Sequence, residues 1–255
     1  MTNHQILRIA MEQSAKDLGC QPEDFIRNEN VVVPFALGPG AKKYYKLPIG
    51  GSFISYGNNV AAAATEECFA AVNDYVKKVA FYHCFETPGI LWLNKRLEPV
   101  GQTVCFMAEY YLPDVDRLKE LPCPCALRVL TQADFAELYL PEWSNALCSD
   151  RKHLDVLGVG AYDGDKLVGL AGCSADAEEM WQIGVDVLPE YRRRGIASAM
   201  TSRLALEILK RDKVPFYCSA WSNIRSARNA IKSGFLPAWA EMTIKTIEKA
   251  NELNE

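Results

Sequence analysis

A chain of 255 residues, 49% of them hydrophobic, has material for one large or two modest domains with real cores. The formal net charge of −4 argues against a nucleic-acid partner, whose footprint would be basic, and no apolar run approaches the ~20 residues needed to cross a bilayer. Met1–Ala10 holds polar Asn3, His4 and Gln5 and lacks a signal peptide's basic-then-apolar layout, so a cytoplasmic protein is expected, its nine scattered cysteines reduced and buried.

Leu7, Met11 and Leu18 give Gln5–Leu18 one apolar side, a helix ended by Gly19. Asn30–Leu37 and Ser52–Tyr56 read as strands, separated by the turn-rich Gly38-Pro39-Gly40 and Gly50-Gly51. Thr65 is placed to cap a second helix, with Glu66 and Glu67 in its first turn and Phe69, Val72, Val76 and Val79 as its buried stripe. His83-Cys84 reads as a packed histidine beside a buried thiol, because neighbours on a strand point to opposite faces and do not form a nucleophile–base pair. Gln102–Leu112 is another strand-like run, and proline-rich Leu112–Pro124 marks the expected boundary between residues 1–122 and 123–255. Cys123-Pro124-Cys125 is one residue short of Cys-x-x-Cys and has no second pair at zinc spacing, so it reads as structural, with no metal site.

Beyond it, Cys125–Leu130 reads as a strand and Thr131-x-x-Asp134 as a helix cap leading into Phe135, Leu138 and Tyr139. Asp163-Gly164 joins Leu157–Tyr162 to Leu167–Ser174 as a hairpin. Ile183, Val185 and Val187 then alternate as a strand, Pro189 stops it, and Tyr191–Gly195 make a tight basic turn. Ile196, Met200, Leu204 and Ile208 follow at helical spacing. A strand Phe216–Ala220 and a helix Ser222–Lys232, closed by Gly234, complete the order.

Three arginines in a turn are most often a solvated charge run. Here Arg192, Arg193 and Arg194 precede Gly195 at the mouth of a helix, whose first N–H groups at Ile196, Ala197 and Ser198 are free to bind phosphate with the helix dipole behind them. No Lys-Ser/Thr follows the glycine and no G-x-G-x-x-G is present, which excludes the P-loop and the dinucleotide loop.

Val187, Pro189, Arg192, Gly195 and Ala197 resemble the acetyl-coenzyme A loop of the GNAT N-acetyltransferase superfamily, Gln/Arg-x-x-Gly-x-Gly/Ala after a strand ending in Val-x-Pro. Asn223, Ser226, Ala227, Gly234 and Phe235 resemble its later motif, and the resemblance covers about Cys125–Trp239. It implies the GNAT acyl-CoA N-acyltransferase fold, an α/β mixed central sheet flanked by helices, preceded by a smaller α/β domain that lacks the loop. That first half is expected to be a diverged copy of the same fold without a second cofactor, its job to wall the acceptor pocket or make a subunit contact. The implied cofactor is acetyl-CoA, held by Val185, Asp186, Val187 and Arg192–Ser198, with Asn223 and Ser226 on its pantetheine arm; ordinary helix capping is an equal role for Asn223.

The implied reaction moves the acetyl group to a primary amine, here of a small molecule, with the protein a monomer or homodimer. Members often carry Leu-Tyr four residues before Gly-Phe, the tyrosine protonating the departing thiolate; Asn229 and Ala230 stand there instead. Tyr217, the Ser226 hydroxyl or water must substitute, or the domain is a non-catalytic acetyl-CoA sensor. Glu179, two residues before Trp181, is the first candidate for general base, with Glu178 and Asp186 as rivals and a solvated acidic turn as the plainer alternative. Trp143, Trp181 and Trp221 are core residues or a box for a cationic acceptor.

Overall fold

The computed structural model describes residues 1–43 and 49–253. In chain order the elements are α1 (Asn3–Leu18), β1 (Val31–Pro34), β2 (Gly51–Ser55), β3 (Ala61–Ala64), α2 (Glu66–Lys78), α3 (Thr87–Leu97), β4 (Gln102–Pro113), β5 (Ala126–Thr131), β6 (Asp155–Asp163), β7 (Lys166–Ser174), β8 (Met180–Val187), α4 (Ile196–Leu209), β9 (Val214–Ala220), α5 (Ile224–Lys232), β10 (Phe235–Thr246) and α6 (Ile247–Glu252). No helix among the described residues is long and apolar enough to cross a membrane.

The chain forms two compact units. One joins Met1–Ile9 to Tyr111–Pro237, and the other joins Ala10–Tyr110 to the chain from Ala238 onward. The expected boundary near residue 122 therefore falls inside the first unit. The Leu112–Pro124 segment is no linker: Asp114 N–H donates to Gly234 O at 2.9 Å, and Leu118 is buried in the first unit's core. Asn3 is drawn into the same unit by bonds from its side chain to Asp114 and from the Val115 N–H to its amide oxygen.

In the first unit, β8 pairs parallel with β9 and antiparallel with β7, which continues antiparallel through β6 to β5. The apolar stripe of α4, Ile196, Met200, Leu204 and Ile208, packs against Val159, Val168, Ile183 and Phe235. In the second unit β1 pairs parallel with β3, and β2 lies antiparallel between β3 and β10. Phe53, Val72, Tyr75, Leu93, Met242 and Ile244 form its core.

Three local expectations differ. Thr65 stands at the N-cap of α2, but its hydroxyl donates to Gly50 O at 3.2 Å instead of capping the helix. His83 is exposed and hydrogen-bonded to Glu86 at 2.8 Å, whereas Cys84 beside it is buried. Thr131 and Asp134 make the expected capping box, yet only a short 3-10 turn follows, and the chain to Leu154 contains further 3-10 turns in place of an α-helix. The close approach of this segment to the sheet fixes the surroundings of the site.

Candidate active site

Pro189 ends β8, since it offers no N–H to a neighbouring strand, and Pro189–Tyr191 form one 3-10 turn. Arg192 is extended, Arg193 takes φ +63°, and Gly195 takes φ +85° as the N-cap of α4. The first bond of the helix runs from Ala199 N–H to Gly195 O at 3.1 Å, so the N–H groups of Ile196, Ala197 and Ser198 precede the ladder. The Ser198 hydroxyl donates to Gly195 O at 3.0 Å and so fixes the bend. A Cβ on Gly195 would meet no heavy atom nearer than Lys232 Nζ at 3.8 Å. The bend is open.

Bracing bonds hold it. Arg192 Nε donates to Val187 O at 2.9 Å, Arg194 to Glu190 O at 3.2 Å, and the Tyr191 hydroxyl to Asp163 at 2.8 Å. Lys166 pairs with Glu190 at 3.2 Å. Arg192 and Arg194 are thus partly spent on the turn, while Arg192, Arg193 and Arg194 all remain exposed. Lys232, at the end of α5, adds a further cation beside Gly195 that sequence reading missed; it lies 37 positions away, and no local signal links the two.

Next to this bend the sheet opens. The β8–β9 register ends at Ile183↔Tyr217, although β8 runs on to Val187 and β9 to Ala220. Backbone groups of Gly184–Val187 on the β9 side therefore border a splay between two parallel strands. Tyr217 stands at its closed end, buried, with its hydroxyl 2.8 Å from Ser226 Oγ. Burial pushes its pKa up, so the phenol holds its proton at neutral pH. The Ser226 N–H donates to Asn223 Oδ1 at 3.2 Å, which makes Asn223 the cap of α5. Tyr217, Ser226 and Asn223 are thus brought together, as are Val185, Val187 and the Gly195 bend.

A family model described as GNAT acetyltransferase matches residues 107–238, more than half of the chain. The chain belongs to the GNAT acetyltransferase family. It is also similar in structure to a GCN5-related N-acetyltransferase-like protein from Streptococcus suis 89/1591, with 17% identity and a TM-score of 0.51 over 94% of this chain and 99% of that one. A GCN5-related N-acetyltransferase from Kribbella flavida matches with 14% identity and a TM-score of 0.50 over 79% and 88% of the two chains. At these identities the likeness is one of fold. No curated protein matches the chain.

Other residues singled out for this GNAT domain lie elsewhere or are otherwise engaged. Glu179 precedes β8 at the end far from the splay, four residues before Ile183, and pairs with Lys213 at 3.0 Å. Four strand residues span about 13 Å, so the carboxylate is removed from the opening. Glu178 is exposed beside it. Asp186 is on β8, but its carboxylate accepts from Asn145 N–H at 2.8 Å, Ala146 N–H at 3.0 Å and Asn145 Nδ2 at 2.7 Å. Its side chain anchors the 3-10 segment. That anchoring rests on two glycines paired across β7 and β8: a Cβ on Gly172 would lie 2.2 Å from Ala146 O, and one on Gly184 1.8 Å from Asn145 O. Only bare strand backbone lets the segment lie so close. Trp143 and Trp181 belong to separate apolar clusters and Trp221 is 47% exposed, so the three do not form a box.

Proposed function

We propose that this GNAT protein transfers the acetyl group of acetyl-CoA to a primary amine of a small molecule, by direct attack within a ternary complex. The observation that carries this reading is the end of the β8–β9 register at Ile183↔Tyr217, beside an open, cationic helix mouth at Gly195. The N–H groups of Ile196–Ser198, with Arg192, Arg193, Arg194 and Lys232 around them, suit a diphosphate; the backbone of Val185–Val187 suits an extended amide-bearing arm. Acetyl-CoA supplies the activated acyl group.

The chain's own residues supply orientation and a proton. Tyr217, kept neutral by burial, is the proton donor to the departing thiolate, with Ser226 as its partner. Glu179 is given no role. The carboxylates near β8 are taken by Lys213 and by the Asn145–Ala146 donors, so the amine loses its proton to water. Nine free thiols support a reducing, cytoplasmic setting.

The second reading, a sensor that binds acetyl-CoA without turnover, is favoured by Ala230: it is fully buried where relatives often carry a tyrosine. A thiol-release assay over a panel of amines, with mass spectrometry of the products, separates the two. The transferase reading expects an acetylated amine and a kcat roughly a hundredfold lower in Tyr217→Phe. It also expects activity within twofold of native in Glu179→Gln. Tight cofactor binding with no product from any amine supports the sensor.

A further inference from the structure

The splay between β8 and β9 has two faces, and the groups given a role so far lie on the α4 and α5 side. Residues of β8 alternate between the faces: Ile183, Val185 and Val187 pack with the α4 stripe, so Gln182, Gly184 and Asp186 lie on the other side. On β9, Tyr217 pairs with Ile183, and Phe216 pairs with Gln182. Cys218, two residues after Phe216, therefore shares the face of Gln182. The ladder stops at Ile183↔Tyr217, which makes Gly184 and Cys218 the first residue of each strand inside the opening.

At that point a side chain takes over from the backbone. Gln182 Nε2 donates to Cys218 Sγ at 3.0 Å, in a part-buried contact. A strand advances about 3.3 Å per residue, so Cys218 lies roughly 6–7 Å beyond the residue that Gln182 faces. To reach it, the carboxamide leans along the strands into the opening. Between the two, Gly184 has no side chain, and a Cβ placed there would lie 1.8 Å from the Asn145 carbonyl oxygen. The floor of this face is thus polar and shallow: an amide, a thiol and a backbone carbonyl.

We propose that the Gln182–Cys218 pair selects the donor's acyl chain by length, admitting acetyl and rejecting longer chains. The proposal rests on the acyl-transfer reading above. In that reading the thioester sulfur belongs beside Tyr217, on the α5 side. The acyl chain that the sulfur carries then runs across the splay toward Gly184 and Cys218. A methyl group ends at the floor. Two further methylenes would have to part the amide from the thiol, or lie against polar groups and strip them of water without replacing its hydrogen bonds.

The test uses the full chain and compares acetyl-CoA with butyryl-CoA by calorimetric titration. A single methylene in a fitted pocket shifts discrimination by roughly ten- to two-hundredfold, so the native chain is expected to bind acetyl-CoA at least about tenfold more tightly. Gln182→Ala removes the clasp and deepens the floor, and the ratio is expected to fall by roughly tenfold. Cys218→Ser, whose hydroxyl also accepts from the amide, is expected to keep the native ratio, a rescue that general loosening of the sheet would not give. Should Gln182→Ala fail to fold, Cys218→Ala removes the acceptor and is expected to shift the ratio in the same direction. Acetyl-CoA is also expected to slow alkylation of Cys218 by iodoacetamide more than coenzyme A does, read by peptide mass spectrometry. Equal native affinity for the two thioesters, a ratio unmoved by removing the clasp, or equal protection of Cys218 by both ligands overturns the proposal. A native chain that binds acetyl-CoA but acetylates no amine removes the transfer reading instead, and the affinity ratio still decides whether the pair measures the acyl chain.

Discussion

Replacing Gly195 by glutamate separates the ligand-binding role of the bend from its role in folding. Gly195 sits at φ +85°, where a side chain costs about 1–2 kcal/mol in the left-handed conformation. Space adds little to that cost, because among the described residues a Cβ meets only the end of the Lys232 side chain, at 3.8 Å. A loss of this size lowers Tm by roughly 2–8 °C in a protein of this length. Binding should suffer far more. If two helix N–H groups donate to phosphate, each bond is worth about 1.5–3 kcal/mol, and losing both weakens coenzyme A binding by roughly 10²–10⁴-fold. The glutamate's own charge adds repulsion. Gly195→Ala carries the same backbone cost without the charge and serves as the control. Calorimetric titration with coenzyme A, beside a melting curve for each variant, gives the answer. A folded Gly195→Glu protein with native affinity would refute the assignment of the phosphate site.

Gly184→Ala should destabilise the fold without touching the cofactor bend. Its Cβ would lie 1.8 Å from Asn145 O, so the 3-10 segment must retreat and strain the bonds to Asp186; the expected loss is about 3–5 kcal/mol, seen as a fall in Tm on the order of 10 °C. An unchanged melting curve would mean that the segment yields freely. Cysteine ionisation should make stability fall in alkali: burial pushes the Cys84 thiol from 9.0 up to about 12 and also raises Cys173. Below pH 9 these thiols are protonated folded or unfolded and stability is flat; between 9 and about 12 only the unfolded thiols ionise, so Tm falls as pH rises. Cys84→Ser should make that fall shallower, and an equally steep fall in this variant would refute the linkage.

The parts of the site that were legible are those written within a few residues of one another. Pro189, Arg192 and Gly195 fix a strand end, a turn and a helix start by local rules of backbone and charge, and the structure has them where those rules put them. Tyr217 and Ser226 were legible as candidates but not as a pair, since nine positions of strand end and helix start separate two hydroxyls that meet at 2.8 Å. Asp186 and Glu179 show the reverse. Carboxylates at useful-looking strand positions are claimed by Asn145 and Lys213, partners 41 and 34 residues away. The Ala61–Ala64 strand escaped notice because four alanines carry no strand periodicity or β-branching; buried parallel pairing with Val31–Pro34 makes them a strand. The close-packed segment was announced by Gly172 and Gly184 inside strand-like runs, a mark of backbone approach that composition alone does not interpret.

The division of the chain into interleaved units has a consequence for synthesis. β2 ends at Ser55, but its partner stretch, Ala240–Ile244, is made only long after it. On the ribosome the earlier-made unit must therefore wait, one edge exposed, until the later-made one has been translated. Growth from the N-terminus cannot finish the two in order, and a chain stopped before Ala240 would leave β2 without that partner strand.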